Sequence, residues 1–84
     1  MMDTGGPWSE CVPIRMPNET TVHMVSNTRQ AAELLSKHWP VNRGQAYRHA
    51  LDICQGVLER DWPSYVARAA FVAAAKEAGV NLLD

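Results

Sequence analysis

An 84-residue chain with 46% hydrophobic and 20% charged residues has room for one small core and no second module. Its formal net charge of −1, with both signs dispersed, argues against nucleic-acid binding, which normally needs a basic excess to displace counterions from phosphate. No stretch approaches the roughly 18 apolar residues of a membrane span, no basic leader with an apolar run opens the chain, and two cysteines are too few for a secreted disulfide framework. A cytoplasmic protein without membrane contact is expected.

Residues 1–10 hold Gly5, Gly6 and Pro7 and read as a flexible N-terminal arm, with Trp8 the one side chain able to tuck against a domain spanning 11–84. From Cys11 the pattern has period two. Val12, Ile14 and Met16 alternate with Pro13 and Arg15, and Val22 and Met24 alternate with Thr21 and His23. The turn residues of "PNET" lie between, so the pattern predicts a β-hairpin with strands near 12–16 and 21–25. Pro13 cannot donate a ladder hydrogen bond, which puts its strand at an edge or turns the missing N–H outward. A lone hairpin is marginal in water, so its apolar face is expected on helices.

Asn27 and Gln30 have capping-box spacing and predict a first helix over 28–38, burying Ala31, Ala32, Leu34 and Leu35, with a Glu33–Lys37 pair outside. Pro40 stops it. Asn42 and Gln45 repeat the cap spacing and open a second helix near 43–60, amphipathic over its whole length. In "RDWPS" Asp61 is the expected cap of a third helix, with Pro63 in its first turn and Gly79 ending it. That helix is rich in alanine and apolar nearly all round, so its burial is expected to call on a second subunit. The tail "VNLLD" either adds a third strand to the hairpin or frays, the strand being favoured.

The residues that catch the eye have two readings each. In "HWPVNRG", Trp39 serves as a stacking platform and Arg43 as an anion clamp at a helix start, or Trp39 is a core anchor and Gly44 a close-packing point. The joint is favoured, because large aromatics bury most of their area and Trp62 repeats the Trp-Pro pairing at the next junction. Arg68 lies among small and apolar residues in "YVARAAF" and must reach solvent or a carboxylate; Asp61, Asp52 and Glu59 are candidates, and an ion pair is favoured over a substrate clamp. His49 and Cys54, five apart on one helix, point about 140° from each other at ~100° per residue and cannot act as base and nucleophile there. Cys54 falls on the apolar stripe and reads as inert. His23, His38 and His49 are scattered without metal-ligand spacing, so no metal and no cofactor are expected, and no nucleotide-loop or hydrolase motif occurs. The chain is not expected to be an enzyme.

Leu35, Trp39-Pro40, Gly44, Ala50, Cys54, Ala67-Arg68, Ala70-Phe71, Ala74-Ala75 and Glu77-Ala78-Gly79, taken in order, resemble the small bacterial family called domain of unknown function 982. The resemblance spans roughly residues 12–83. It implies a cytoplasmic bacterial protein and carries over no catalytic or ligand residues.

These readings predict an α+β domain, a β-hairpin with or without a C-terminal third strand, packed on three helices. The function expected is that of a non-enzymatic interaction or regulatory binding module, homodimeric through the Ala-rich third helix or the sheet edge. The alternatives are nucleic-acid binding through Arg43, Arg48, His49 and Arg60, and anion or metabolite sensing at the 39–44 joint. Trp39, Arg43, Arg48 and Arg68 are the candidate binding residues.

Overall fold

Alternation over Val12–Met16 and the caps downstream predict strands followed by helices, and that order is found. The structure, a computed structural model, describes residues 7–17, 19–40 and 44–83. It comprises β1 (Pro7–Arg15), β2 (Val22–Asn27), α1 (Thr28–Lys37), α2 (Gln45–Arg60), α3 (Ser64–Ala78) and β3 (Asn81–Leu82). The fold is α+β: an antiparallel sheet of order β2-β1-β3 with α1 and α3 packed on its inner face and α2 packed against those two helices.

The strand starts earlier than the arm expected over 1–10, because Trp8 pins it. Its side chain is 6% exposed, its indole N–H donates to Thr28 Oγ1 at 3.1 Å, and its ring centroid lies 5.9 Å from that of Phe71. A buried indole with its donor satisfied holds the segment against the domain. Residues 1–6 lie outside the described residues.

β1 is the central strand, so Pro13 is not at an edge. The Leu83 N–H donates to the Pro13 carbonyl at 2.9 Å, which turns the backbone groups of Pro13 towards β3. Pro13 has no N–H to return the bond, and the β3 ladder ends there after two residues.

Register decides which side chains meet the helices. Val12 opposes Val25 and Ile14 opposes His23, so Val12, Ile14 and Val25 enter the core, at 3%, 0% and 1% exposure. Val22 and Met24, expected on the helix-covered face, therefore point away from it and are 41% and 54% exposed. In "VHMV" the Val22–Met24 parity is the more apolar, but the pairing with β1 turns His23 and Val25 inward instead.

The cap of α1 forms as its spacing predicts. Asn27 Oδ1 accepts from the Gln30 N–H at 2.8 Å, while Gln30 Oε1 reaches back to the N–H and hydroxyl of Ser26. The Glu33–Lys37 pair closes at 3.6 Å. α3 buries Ala67, Ala70, Phe71, Ala74, Ala75 and Ala78 against α2 and the sheet, and leaves Tyr65, Ala69 and Ala73 exposed on its other face. Small side chains let two helices and a strand approach closely.

At the second joint Asp61 does not cap α3. It adopts a left-handed conformation, φ 60°, and ends α2, while Pro63 takes the N-cap position of α3 without a side-chain bond. The left-handed residue folds the next one back. The Trp62 ring lies over Gly56, where a Cβ would come within 2.1 Å of it, and the Arg60 guanidinium sits 6.0 Å from the ring centroid. Mid-helix glycine normally costs about 1 kcal/mol against alanine. Gly56→Ala will nevertheless destabilise the protein in urea melts, whereas in a Trp62→Ala background the same change will stabilise it. A gain in both backgrounds would place Trp62 off the helix.

Candidate functional site

His38 ends α1, its N–H donating to the Leu34 carbonyl at 2.9 Å, and Trp39 turns inward. Trp39 is 5% exposed, with ring centroids 5.5 Å from Phe71 and 6.5 Å from Tyr47. The Tyr47 hydroxyl donates to the Leu35 carbonyl at 2.8 Å, tying α2 to the end of α1. Trp39 is thus a core anchor and offers no face on which a ligand could stack. Arg43 and the expected cap Asn42 lie outside the described residues.

The start of α2 is completed from elsewhere in the chain. Gly44 is its N-cap and supplies no side chain, but Glu77, at the end of α3, accepts hydrogen bonds from the N–H groups of Gly44, Ala46 and Tyr47 at 3.1, 3.0 and 3.1 Å. A helix N-terminus attracts anions through its unpaired N–H groups. Here the anion is the protein's own carboxylate. A Cβ at Gly44 would lie 2.6 Å from Glu77 Oε2, so glycine is what lets the carboxylate approach. The anion clamp imagined at the 39–44 joint therefore finds these donors already engaged. Nothing in the sequence near Glu77 points to this distant partner; the one local signal is a glycine, without a capping side chain, at the N-cap of α2.

These N–H bonds, that of Ala46 foremost, hold the Glu77 carboxyl below its ordinary value of 4.5. A depressed folded-state pKa contributes stability that is complete above the unfolded value and lost as pH falls through the folded one. Glu77→Gln will accordingly lower the urea midpoint at pH 7, and the gap from the native chain will narrow as pH drops below 4.5. An unchanging gap down to the acid limit would mean that the charge does not cap α2.

Arg68 finds a carboxylate, but not on α2. Its Nε donates to the Glu10 carbonyl at 2.9 Å and its Nη2 lies 3.7 Å from Glu10 Oε1, so it clasps β1 where β3 no longer covers it. Arg68, Val72 and Lys76 wall a groove of about 200 Å³ whose other side is Cys11, Pro13 and Leu83. Arg48 is exposed on α2. Trp39, Arg48 and Arg68 thus occupy the core, the outer face of α2 and the β1 side of α3, and they do not converge on one site.

His49 is exposed while Cys54 is 1% exposed, so the two stay apart. Burial pushes the Cys54 thiol up to about 11, which keeps it protonated and unreactive; Cys11 is exposed. An aromatic disulfide reagent at pH 8 will titrate one thiol in the folded protein and a second only in denaturant. Two rapid equivalents in the folded state would show that the core opens.

The sheet edge that the sequence offered as an association surface lies along β2. Because Pro13 turns its backbone groups to β3, its partner Met24 turns N–H and C=O away from β1, and Val22 does the same two residues earlier. The next N–H outward, that of Ser26, is taken by Gln30 at 2.8 Å. Between this edge and α1 runs a groove of about 280 Å³, walled by Val22–Val25 on one side and Gln30, Glu33 and Leu34 on the other.

Among the described residues no helix is long and apolar enough to cross a membrane, and no group of three or more His, Cys, Asp or Glu side chains is placed to hold a metal. The family model described as Protein of unknown function (DUF982) matches residues 10–82 of the chain. Comparisons with curated proteins and with solved structures gave no match.

Proposed function

The chain belongs to the DUF982 family, and on that footing we propose that it is a small non-enzymatic interaction module of the bacterial cytoplasm, meeting a protein partner through the open side of its sheet. The observation that carries this reading is the exposure of Val22 and Met24, 41% and 54%, on a face that no helix covers. Apolar side chains of this size on an uncovered sheet face favour association over hydration. The residues that might have suggested chemistry are committed otherwise: Trp39 to the core, Glu77 to the α2 start, Cys54 to a protonated interior. An exposed free thiol at Cys11 suits a reducing compartment.

Self-association through α3 is the weaker form of the proposal. Five of the alanines that motivated it, Ala67, Ala70, Ala74, Ala75 and Ala78, are buried inside the chain, and Ala69, Ala73 and Tyr65, the last 72% exposed, are left on its outer surface. Nucleic-acid binding has less to work with, since Arg60 leans on Trp62 and the chain carries a net charge of −1.

A photo-crosslinking residue placed at Met24, and separately at Asp52 on the exposed side of α2, tests the reading in cells that make the protein natively. Discrete protein adducts are expected from position 24 and not from 52. Adducts from 52 alone, or from neither, would overturn it.

A further inference from the structure

Two edges bound this sheet, and they are built differently. On one side the edge strand is β3, only two residues long, and where it leaves β1 uncovered Pro13 stops the ladder and Arg68 clasps the Glu10 carbonyl, so that side has little to offer a new strand. On the other, β2 presents the N–H and C=O groups of Val22 and Met24 outward, in a strand of six residues without lysine, proline or aspartate. Natural sheets blunt such edges with those residues or with a covering element. Here α1 stands beside the edge and leaves a groove, deep enough for side chains, with Leu34 in its wall.

We infer that this groove receives an extended segment of a partner protein, which adds to the sheet as a fourth strand beside β2. The inference rests on the interaction-module reading and names its site and the chemistry of its occupant. Paired outward groups on alternate residues are met only by another backbone in extended form, so the affinity is main-chain and the specificity comes from alternate side chains. The added residue opposite Met24 shares its open face and is apolar. The residues on either side of it face α1, where Glu33 is the one carboxylate of the groove wall and neither lysine nor arginine lines it. A lysine or arginine at that neighbouring position completes the match. Glu33 is held only loosely by Lys37, at 3.6 Å with both side chains largely exposed, so it is available to exchange partners. Glu33 in the groove wall thus favours a basic segment over a neutral or acidic one.

The probe is a set of synthetic ten-residue peptides that alternate valine or threonine with lysine, matched to a set carrying glutamate in place of lysine. Amide chemical shifts and hydrogen exchange of the intact chain are followed. The lysine peptides are expected to shift residues 22–26 and 30–34 and to slow exchange of the Met24 amide, and the glutamate peptides to bind about tenfold more weakly. Glu33→Lys should reverse the preference. Met24→Pro should keep the fold, because the lost N–H points outward at an edge, and should abolish binding of both sets.

Slowed exchange at Met24 that rises with protein concentration alone would mean self-pairing and would overturn the inference. So would a Glu33→Lys chain with an unchanged preference, or no shift along β2 with any peptide. Shifts gathered instead at Trp62 and Tyr65 would leave the interaction module standing and remove this groove from it.

Discussion

One run of aromatic rings holds this domain together. Trp8 from β1 meets Phe71 from α3, Phe71 meets Trp39 beyond the end of α1, and Trp39 meets Tyr47 in α2. The ring centroids are spaced at 5.9, 5.5 and 6.5 Å, the range in which tilted aromatic pairs attract beyond their buried area. Both ends of the run are tied to α1 by polar bonds, Trp8 to Thr28 and Tyr47 to Leu35. Every helix and the central strand is thereby fixed to one cluster. A chain of 84 residues buries too little surface to hold its elements by area alone, and shared rings supply the coupling.

Around that cluster the elements finish one another. α2 has no side-chain cap of its own and takes Glu77 from α3; α3 has none either and follows a proline that needs no donor there. Two glycines make these contacts possible, Gly44 by admitting a carboxylate and Gly56 by admitting an indole. The alanines of α3 act in the same sense, since they let α2 and the sheet come close enough for Phe71 to reach both tryptophans. Stability here depends on close approach, and close approach depends on missing side chains.

This explains which parts could be read from the sequence. Period, caps and breakers are local, so the hairpin, the three helices and the favoured third strand follow from residues within a few positions of each other. The Asn27–Gln30 cap and the Glu33–Lys37 pair are of that kind. Glu77 and Gly44 lie 33 residues apart, and Arg68 and Glu10 lie 58 apart, so nothing local distinguishes either acid from its alternatives. The parity of β2 was hidden for another reason. "VHMV" carries a valine on each face, and only the register with β1 shows that Val25 goes inside and Val22 and Met24 are left outside. For Trp39 and Cys54 the sequence had offered a chemical role beside a packing role, and burial assigns both to packing.

What folding consumes also says what it leaves. Trp8, Trp39, Trp62 and Arg68 each meet a partner within the chain and Cys54 is buried in the core, whereas among the described residues the backbone groups of Val22 and Met24 on the β2 edge are turned outward. Exposed backbone groups at an edge carry a standing risk of unwanted pairing, which proteins usually remove at little cost with one lysine or proline. The opposite side of the same sheet does so, with a β3 of two residues and, where β3 leaves β1 uncovered, with Pro13 and Arg68. A single sheet that protects one edge and leaves the other open, with two apolar side chains on the open strand and a helix-walled groove beside it, has its asymmetry where a partner strand would need it.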